Sequence, residues 1–422
     1  MISTTTDALP STNQTLPFSL TDTAFDITGK DFYAEPWLAN QPLPEAFLSL
    51  PNQIYQKEPN WIPEQQAYIQ QLFSIQNPYF QAGQAWLGVI PNANRLAGFY
   101  HPQHIVDGQP TAYFGFWETT DQLSTNQALF EQLAIWAKAQ GATQLLGPIN
   151  FSTFGRYRLR LSHFDTAYFP SEPWNPSYYA PLLTALGFKQ HTTYHSKFTH
   201  QLQFNAPQNE HLREKLNKRL SSRFQLSPLT SERLHQLQDR LYPLIEHTFS
   251  HNLAYTSINP QLFKSHILQP LANRLCPYSS WLATDKKNNE VVGFVVCTPD
   301  YGPILNQGYQ CNHPDNTLLN QQQLSYHQHT PLLKNPVCLI KTAGVLPSHQ
   351  HRGIAAWLCL TAAHAIRQHY QGMGAALIRD DNDSAKLASL LCDGPDCETH
   401  QYGLFYKSLH PSQIPPCMTT KE

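Results

Sequence analysis

Between Val337 and Leu360 the chain reads VCLIKTAGVLPSHQHRGIAAWLCL. Cys338–Ala343 alternates apolar and polar residues and is rich in β-formers, which predicts a strand. Val345-Leu346-Pro347 ends that strand, because proline cannot continue a ladder. From Ala355 to His369 apolar residues recur at helical spacing. The pattern therefore predicts a strand, a tight loop over Gln350–Ala355, and a helix. Further back, Gln84–Tyr100 carries two apolar runs around Pro91-Asn92-Ala93-Asn94, the signature of a hairpin. The same pattern returns in SWLATDKKNNEVVGFVV, with its turn at Lys286–Asn289. Trp86-Leu87 precedes Gly98-Phe99 by twelve positions, as Trp281-Leu282 precedes Gly293-Phe294.

The later elements repeat in order. In the first half they are a strand at Tyr113–Trp117, an amphipathic helix at Asn126–Gln140, a strand at Gln144–Leu146, a helix at Asn175–Gly187 and a closing strand at Tyr194–Phe198. In the second they are Cys338–Val345, Ala355–His369, Ala375–Arg379, Asp383–Leu391 and Tyr402–Lys407. One plan used twice is a tandem duplication, since two copies do not make an array. Strands alternating with helices predict a mixed α/β sheet in each half. The expected organisation is a flexible lead-in over 1–30, a first unit over 31–204, a linking helix over 205–228, a second unit over 229–410 and a tail over 411–422. The link carries Arg213, Lys215, Lys218, Arg219 and Arg223, and reads as a solvated basic face, with docking of an anionic partner as the other reading. Asn306–Asn335, rich in Gln, Asn and His, is an insertion in the second copy just before the cofactor strand, and a loop of this length is expected to be either disordered or functional, as a cover for the acceptor site.

A glycine turn opening a helix leaves the first backbone N–H groups free, and with the helix dipole they suit a phosphate or pyrophosphate. Gly353 lets the backbone come close to such a ligand. Val345, Pro347, Gln350, Gly353 and Ala355 together resemble the acyl-CoA pyrophosphate loop of the GNAT acyltransferase superfamily. The first half, at PNWIP (59–63), NPYF (77–80), YFGFWE (113–118), GPINFST (147–153) and WNPSYYAPLLTALGF (174–188), resembles a group of bacterial tandem-GNAT proteins. It departs from that group at FGRYRLRL (154–161), which implies a changed pocket wall or a changed substrate. The resemblance implies two tandem GNAT-like units, each a mixed, mostly antiparallel sheet flanked by helices. The first half has Glu118-Thr119-Thr120-Asp121-Gln122-Leu123-Ser124 after its strand, with no glycine turn, so only the second half is expected to hold the cofactor.

The same resemblance implies the site. Backbone groups of Ala343 and Val345 would bond the pantetheine arm. N–H groups of His351, Arg352, Gly353, Ile354 and Ala355, with Gln350 beside them, would hold the pyrophosphate, and Asn382 of Asn382-Asp383-Ser384-Ala385 would touch the cofactor. The cosubstrate would be acetyl-CoA or another acyl-CoA, and the acceptor a small amine or amino-acid-like metabolite. The amine must lose a proton before attack and the leaving thiolate must gain one. The family's usual glutamate base falls at Lys341 here, and its usual tyrosine acid at Ser389. Asp380, Asp381, Tyr402, Tyr406 and His349 stand nearby as substitutes, with Glu118, Tyr178 and Tyr179 across the interface.

Composition changes this picture little. The net charge of -2 argues against a nucleic-acid partner, and no apolar run approaches the ~20 residues of a membrane span. The first 30 residues lack a basic-apolar signal, so a cytoplasmic protein is expected. All eight cysteines lie after position 275 without a C-x-x-C pair and read as buried thiols. Neither His327/His329 nor His349/His351 stands in a ligand cluster, so no metal is expected. Missing acid and base keep open a CoA-sensing or scaffold protein, and the basic link keeps open an aminoacyl-tRNA-dependent transferase. Monomer and homodimer both remain open.

Overall fold

The computed structural model describes residues 32–306 and 319–410. The lead-in, the tail and residues 307–318 of the insertion lie outside the described residues, as do Cys311 and Cys417.

Thirteen strands form one sheet: β1 (Tyr33–Trp37), β2 (Gln84–Ile90), β3 (Asn94–Val106), β4 (Gln109–Thr119), β5 (Gln144–Gly147), β6 (Leu159–Arg160), β7 (Lys189–Thr199), β8 (Phe224–Pro228), β9 (Trp281–Asp285), β10 (Glu290–Pro299), β11 (Val337–Val345), β12 (Gly372–Arg379) and β13 (Glu398–Ser408). Their order is β1-β2-β3-β4-β5-β13-β7-β12-β11-β10-β9-β8, with β6 on β13. Two pairs are parallel, β4 with β5 and β11 with β12, one in each half. All other pairs are antiparallel. The duplicated plan is thus present, but the sheet runs unbroken through both copies. The last strand of the second half, β13, lies between β5 and β7 of the first half. In turn β7 pairs with β12 of the second half.

Both sheet faces are covered, which is why the strands read as apolar runs rather than strict alternation. On β2, Trp86 and Ile90 join the core under the helix Leu123–Ala139, whereas Ala85, Leu87 and Val89 join an aromatic core with Phe73, Phe99, Phe116 and Phe151. On β10, Val292, Val295 and Cys297 face the helix Ile354–His369, and Val291, Phe294 and Val296 face the helix Gln238–Phe249. The helix Ile354–His369 is apolar around most of its circumference because it is covered twice. The sheet lies on one side and the linking helix Ala206–Leu220 on the other.

That linking helix has the solvated basic face read from the sequence, with Lys215, Lys218 and Arg219 exposed, as is Arg223 just beyond it, and a buried stripe on its other side. Leu216 and Leu220, four residues apart on one stripe, are buried against the helix Ile354–His369. His364 Nδ1 lies 2.9 Å from Glu210 Oε2, and Arg367 Nε donates to the Leu202 carbonyl at 2.8 Å. The basic side chains occupy the remaining face. The six described cysteines are unpaired thiols, and five of them are buried.

Candidate active site

The loop between β11 and its helix is shaped by Gly353, whose φ of +88° lies in the left-handed region. A Cβ there would stand 2.5 Å from Arg219 Nη2 and 3.0 Å from Leu216 Cδ2. The chain can turn into the helix this close to the linking helix only as glycine. Among the described residues, the N–H groups of His351, Arg352, Gly353, Ile354, Ala355 and Ala356 have no protein acceptor. Six free donors in succession, backed by a helix dipole, form an anion cradle. Arg219 Nη2 donates to the Arg352 carbonyl at 2.8 Å, so a guanidinium from the linking helix sits at its rim. His349 pins the loop from below. Its Nδ1 lies 2.9 Å from Ser348 Oγ and its Nε2 3.7 Å from Asp285, which in turn accepts from Arg223 at 3.0 Å.

Beside the loop the sheet opens. β11 and β12 pair in parallel only from Val337↔Gly372 to Ile340↔Ala375, and beyond these positions no ladder joins them. Leu346 N–H bonds the Val292 carbonyl at 2.9 Å. By the alternation of an antiparallel ladder, Ala343 and Val345 therefore turn their own backbone groups away from β10, toward the gap. The Val345 carbonyl is already taken by Gln350 Nε2 at 3.1 Å, so the free group at that residue is its N–H.

In the first half the equivalent gap is filled. β4 and β5 pair only from Thr111↔Gln144 to Tyr113↔Leu146, and the segment after β5 enters the opening. Ile149 N–H bonds the Phe114 carbonyl at 2.7 Å, and Phe116 N–H bonds Asn150 Oδ1 at 2.8 Å. A Cβ on Gly115 would stand 2.4 Å from the Ile149 carbonyl oxygen, so the plug depends on that glycine. What remains is a void of about 30 Å³ near Glu118. Burial raises the Glu118 carboxyl above its usual range, and Tyr55 and Tyr179 donate to it at 2.9 and 3.1 Å. Tyr178 donates to the Thr119 carbonyl at 2.6 Å. Glu118, Tyr178 and Tyr179 are thus committed to the first half's interior.

In the second half the gap leads into a cavity of about 1250 Å³ between the two halves. Leu241, Ile245, Phe263, Leu268, Phe294 and Val296 supply an apolar wall. Part of it is a π-helical turn, Phe263–Leu268, a conformation often found at functional sites. Phe154, Tyr157 and Arg158 of the divergent FGRYRLRL segment also line the cavity, with the Phe154 ring 6.4 Å from that of Phe263. Leu319–Gln322 of the insertion also line the cavity.

Lys341 faces this cavity from β11. The β10–β11 register shifts between Val296 and Cys297, whose partners are Thr342 and Ile340, leaving Lys341 as the extra residue of a bulge at the mouth of the gap. Its Nζ lies 4.4 Å from the Phe169 ring centre and 3.4 Å from the Pro170 carbonyl. Burial, then the cations Arg274 and Arg158, push its pKa down to about 7 against the pull of Glu172 and Asp300. Asp300 is itself raised to about 6 by burial.

The other substitutes do not converge on the gap. Asp380 lies 2.5 Å from His195 Nδ1, Asp381 pairs with Arg379, and Tyr406 packs its ring against His191. Tyr402 is fully buried and donates to Glu172, so it reaches the cavity only through that carboxylate, which His400 Nδ1 also approaches at 3.1 Å. Ser389 accepts from Lys197 at 3.0 Å. Asn382 is exposed in the turn after β12, where its N–H bonds the Arg379 carbonyl at 3.1 Å. Arg158, Glu172 and Arg274 escaped the sequence reading, and nothing local marks Glu172 or Arg274. Arg158 alone carried a signal, lying in the segment that departs from the family. Among the described residues no group of three or more His, Cys, Asp or Glu is arranged to hold a metal, and no helix is long and apolar enough to cross a membrane.

The sequence model of the acetyltransferase (GNAT) family matches residues 241–388, the stretch that contains the loop, the gap and Lys341. Over 153 residues the chain is 29% identical to protein YghO of Escherichia coli (strain K12), which covers 34% of this chain and only 38% of that protein. Over 292 residues it is 24% identical to the bacterial ceramide synthase of Caulobacter vibrioides (strain NA1000 / CB15N), covering 67% and 73% of the two chains. A solved tandem GNAT protein from the clavulanic acid biosynthesis pathway aligns over 90% of this chain and 99% of its own, at 13% identity and a TM-score of 0.48. The region that matches the GNAT family model is built on the glycine loop and the parted β11–β12 pair, and the same strand plan is repeated in the first half.

Proposed function

We propose that the chain is an acyl-CoA-dependent N-acyltransferase whose donor is a long-chain acyl-CoA and whose acceptor is an amphipathic amine held between the halves. The carrying observation is the cavity. About 1250 Å³ exceeds the ~300–1,000 Å³ of an ordinary small-ligand pocket, and much of the wall is aliphatic or aromatic. An acetyl group and a small amine would leave that wall wet, whereas each methylene buried against it contributes ~0.8 kcal/mol. The likeness to a protein named bacterial ceramide synthase points the same way, a ceramide being an N-acylated long-chain amine. In this reading the free N–H groups of His351–Ala356 hold the pyrophosphate, with Arg219 and Arg352 beside it. The N–H groups of Ala343 and Val345 bond the pantetheine arm, which leads the thioester into the gap beside Lys341.

Calorimetric titration with acetyl-, octanoyl- and palmitoyl-CoA tests the reading, run beside a Gly353→Glu variant. That change forces a side chain into the left-handed turn and sets a carboxylate against the phosphates. The expected result is affinity rising steeply with chain length, by as much as about fourfold per methylene, and at least about tenfold weaker binding in the variant. Equal affinity for acetyl- and palmitoyl-CoA would remove the long-chain donor. Absence of binding to all three would remove the acyltransferase reading altogether.

A further inference from the structure

Amide formation from an alkylammonium acceptor has a proton requirement that the site must meet. The ammonium first loses one proton to expose its lone pair. The amine nitrogen then attacks the thioester carbonyl, the C–N bond forms, and the C–S bond breaks with its electron pair going to sulfur. The second proton leaving nitrogen neutralises the thiolate. One proton per turnover therefore has to be taken up by a group near the nitrogen and passed to solvent.

Resting on the acyltransferase reading, we propose that Lys341, as a free amine, is the general base that takes this first proton. Four features of its surroundings carry the assignment. Its bulge position puts it one residue past Ile340↔Ala375, the last pair before β11 and β12 part. It lines the cavity rather than the solvent surface. Its nearest partners are an aromatic face and one carbonyl, and among the described residues it forms no ion pair within 4.0 Å. The charged groups packed around it are two cations and two carboxylates, so they supply no net negative charge to hold its ammonium against burial. Arg158 comes from the first half and Arg274 from the end of the helix Gln269–Arg274, against Glu172 from the first half and Asp300 after β10. Of the two carboxylates, Glu172 is engaged by Tyr402 and His400, and Asp300 by the Gly302 N–H at 2.8 Å. Burial and the two guanidiniums hold its pKa down to about 7, so a large share of the side chain is free amine at neutral pH. Lysine here is then a functional replacement for the family's glutamate, with the protonated form cationic instead of neutral.

The test compares the full chain with Lys341→Gln and Lys341→Arg, using palmitoyl-CoA and a panel of long-chain primary amines. Thiol release is followed across roughly pH 5–9, about two units either side of the expected midpoint. In parallel, the midpoint of Lys341 itself is read by pulsed acetic anhydride labelling and mass spectrometry. The expected result for the unaltered chain is a rate that falls below a midpoint near 7, with Lys341 labelling on the same midpoint. The Gln variant should lose about 10²–10⁴-fold in kcat while binding palmitoyl-CoA within about twofold. The Arg variant, always protonated, should give no rescue. Turnover of the Gln variant within about threefold of the unaltered chain, or rescue by Arg, overturns the assignment and leaves the acyltransferase reading standing. If the unaltered chain binds acyl-CoA but releases no thiol, the labelling decides: a midpoint near the ordinary ~10.4 overturns the assignment, and one near 7 upholds it. Failure to bind any acyl-CoA overturns the functional reading and the assignment together.

Discussion

His104, on β3, is 1% exposed, and neither ring nitrogen has a protein partner. Its ring stacks on Tyr113 at 4.0 Å with 19° between planes. Burial, aided by His101, lowers its pKa to about 3. An unfolded chain carries this histidine at ~6.5, so between pH 6.5 and 3 the unfolded state binds a proton that the folded state refuses. Stability therefore falls as the pH drops through that window, by ~1.4 kcal/mol per unit at most. At pH 7 the folded histidine is neutral and the unfolded one about three-quarters neutral, so the slope there is small. His104→Phe keeps a ring against Tyr113 and removes both the titration and the two unpaired nitrogens. Between pH 7 and 4.5 the natural chain is expected to lose about 2–3 kcal/mol more than the variant in urea unfolding. Equal losses would mean that His104 is protonated in the folded chain.

At the scale of the element, the cavity is a property of the helix Gln238–Phe249 and the π-helical turn as much as of the sheet. Ile245 points its half-buried side chain into the space, so Ile245→Trp enlarges the wall without opening the core behind it. The expected outcome is a shortened preferred acyl chain, with palmitoyl-CoA weakened at least about tenfold and octanoyl-CoA by less than about threefold, read by competition binding. Uniform weakening of both would show that the acyl chain lies elsewhere. Elements also show what the sequence could reveal. The loop Gln350–Ala355 was legible because its determinants sit within six consecutive residues, and the hairpins because their turn residues interrupt apolar runs. Lys341 was legible as a position but not as a base. Its surroundings come from Arg158, Glu172, Arg274 and Asp300, which only the tertiary fold brings together. The linking helix read as a charged face because its buried stripe, Leu216 and Leu220, is two residues wide amid basic neighbours.

At the scale of the molecule, the exchange of strands joins the two copies more tightly than a duplication implies. β13 forms ladders with β5 over Phe405↔Gly147 to Ser408↔Gln144, and with β7 over Glu398↔Phe198 to Tyr406↔Lys189. No periodicity in β13 announces those partners, since strand pairing is decided between segments more than 200 residues apart. A fragment of residues 1–204 would lose the strand that separates β5 from β7, and one of residues 205–422 would lose the neighbour of both β12 and β13. Each would expose long apolar edges. Cross-half contacts at the site go with them, including Lys341 to Pro170 and Glu172 to Tyr402. Expressed alone, either fragment should be insoluble or lack a cooperative melt. Co-expressed, the two should associate one to one and recover acyl-CoA binding. The intact chain should unfold in one transition, with circular dichroism and tryptophan fluorescence coincident. A soluble 205–422 fragment that binds acyl-CoA alone would show that the second half folds without β7, and that the shared sheet is an interface between independent domains rather than a common core.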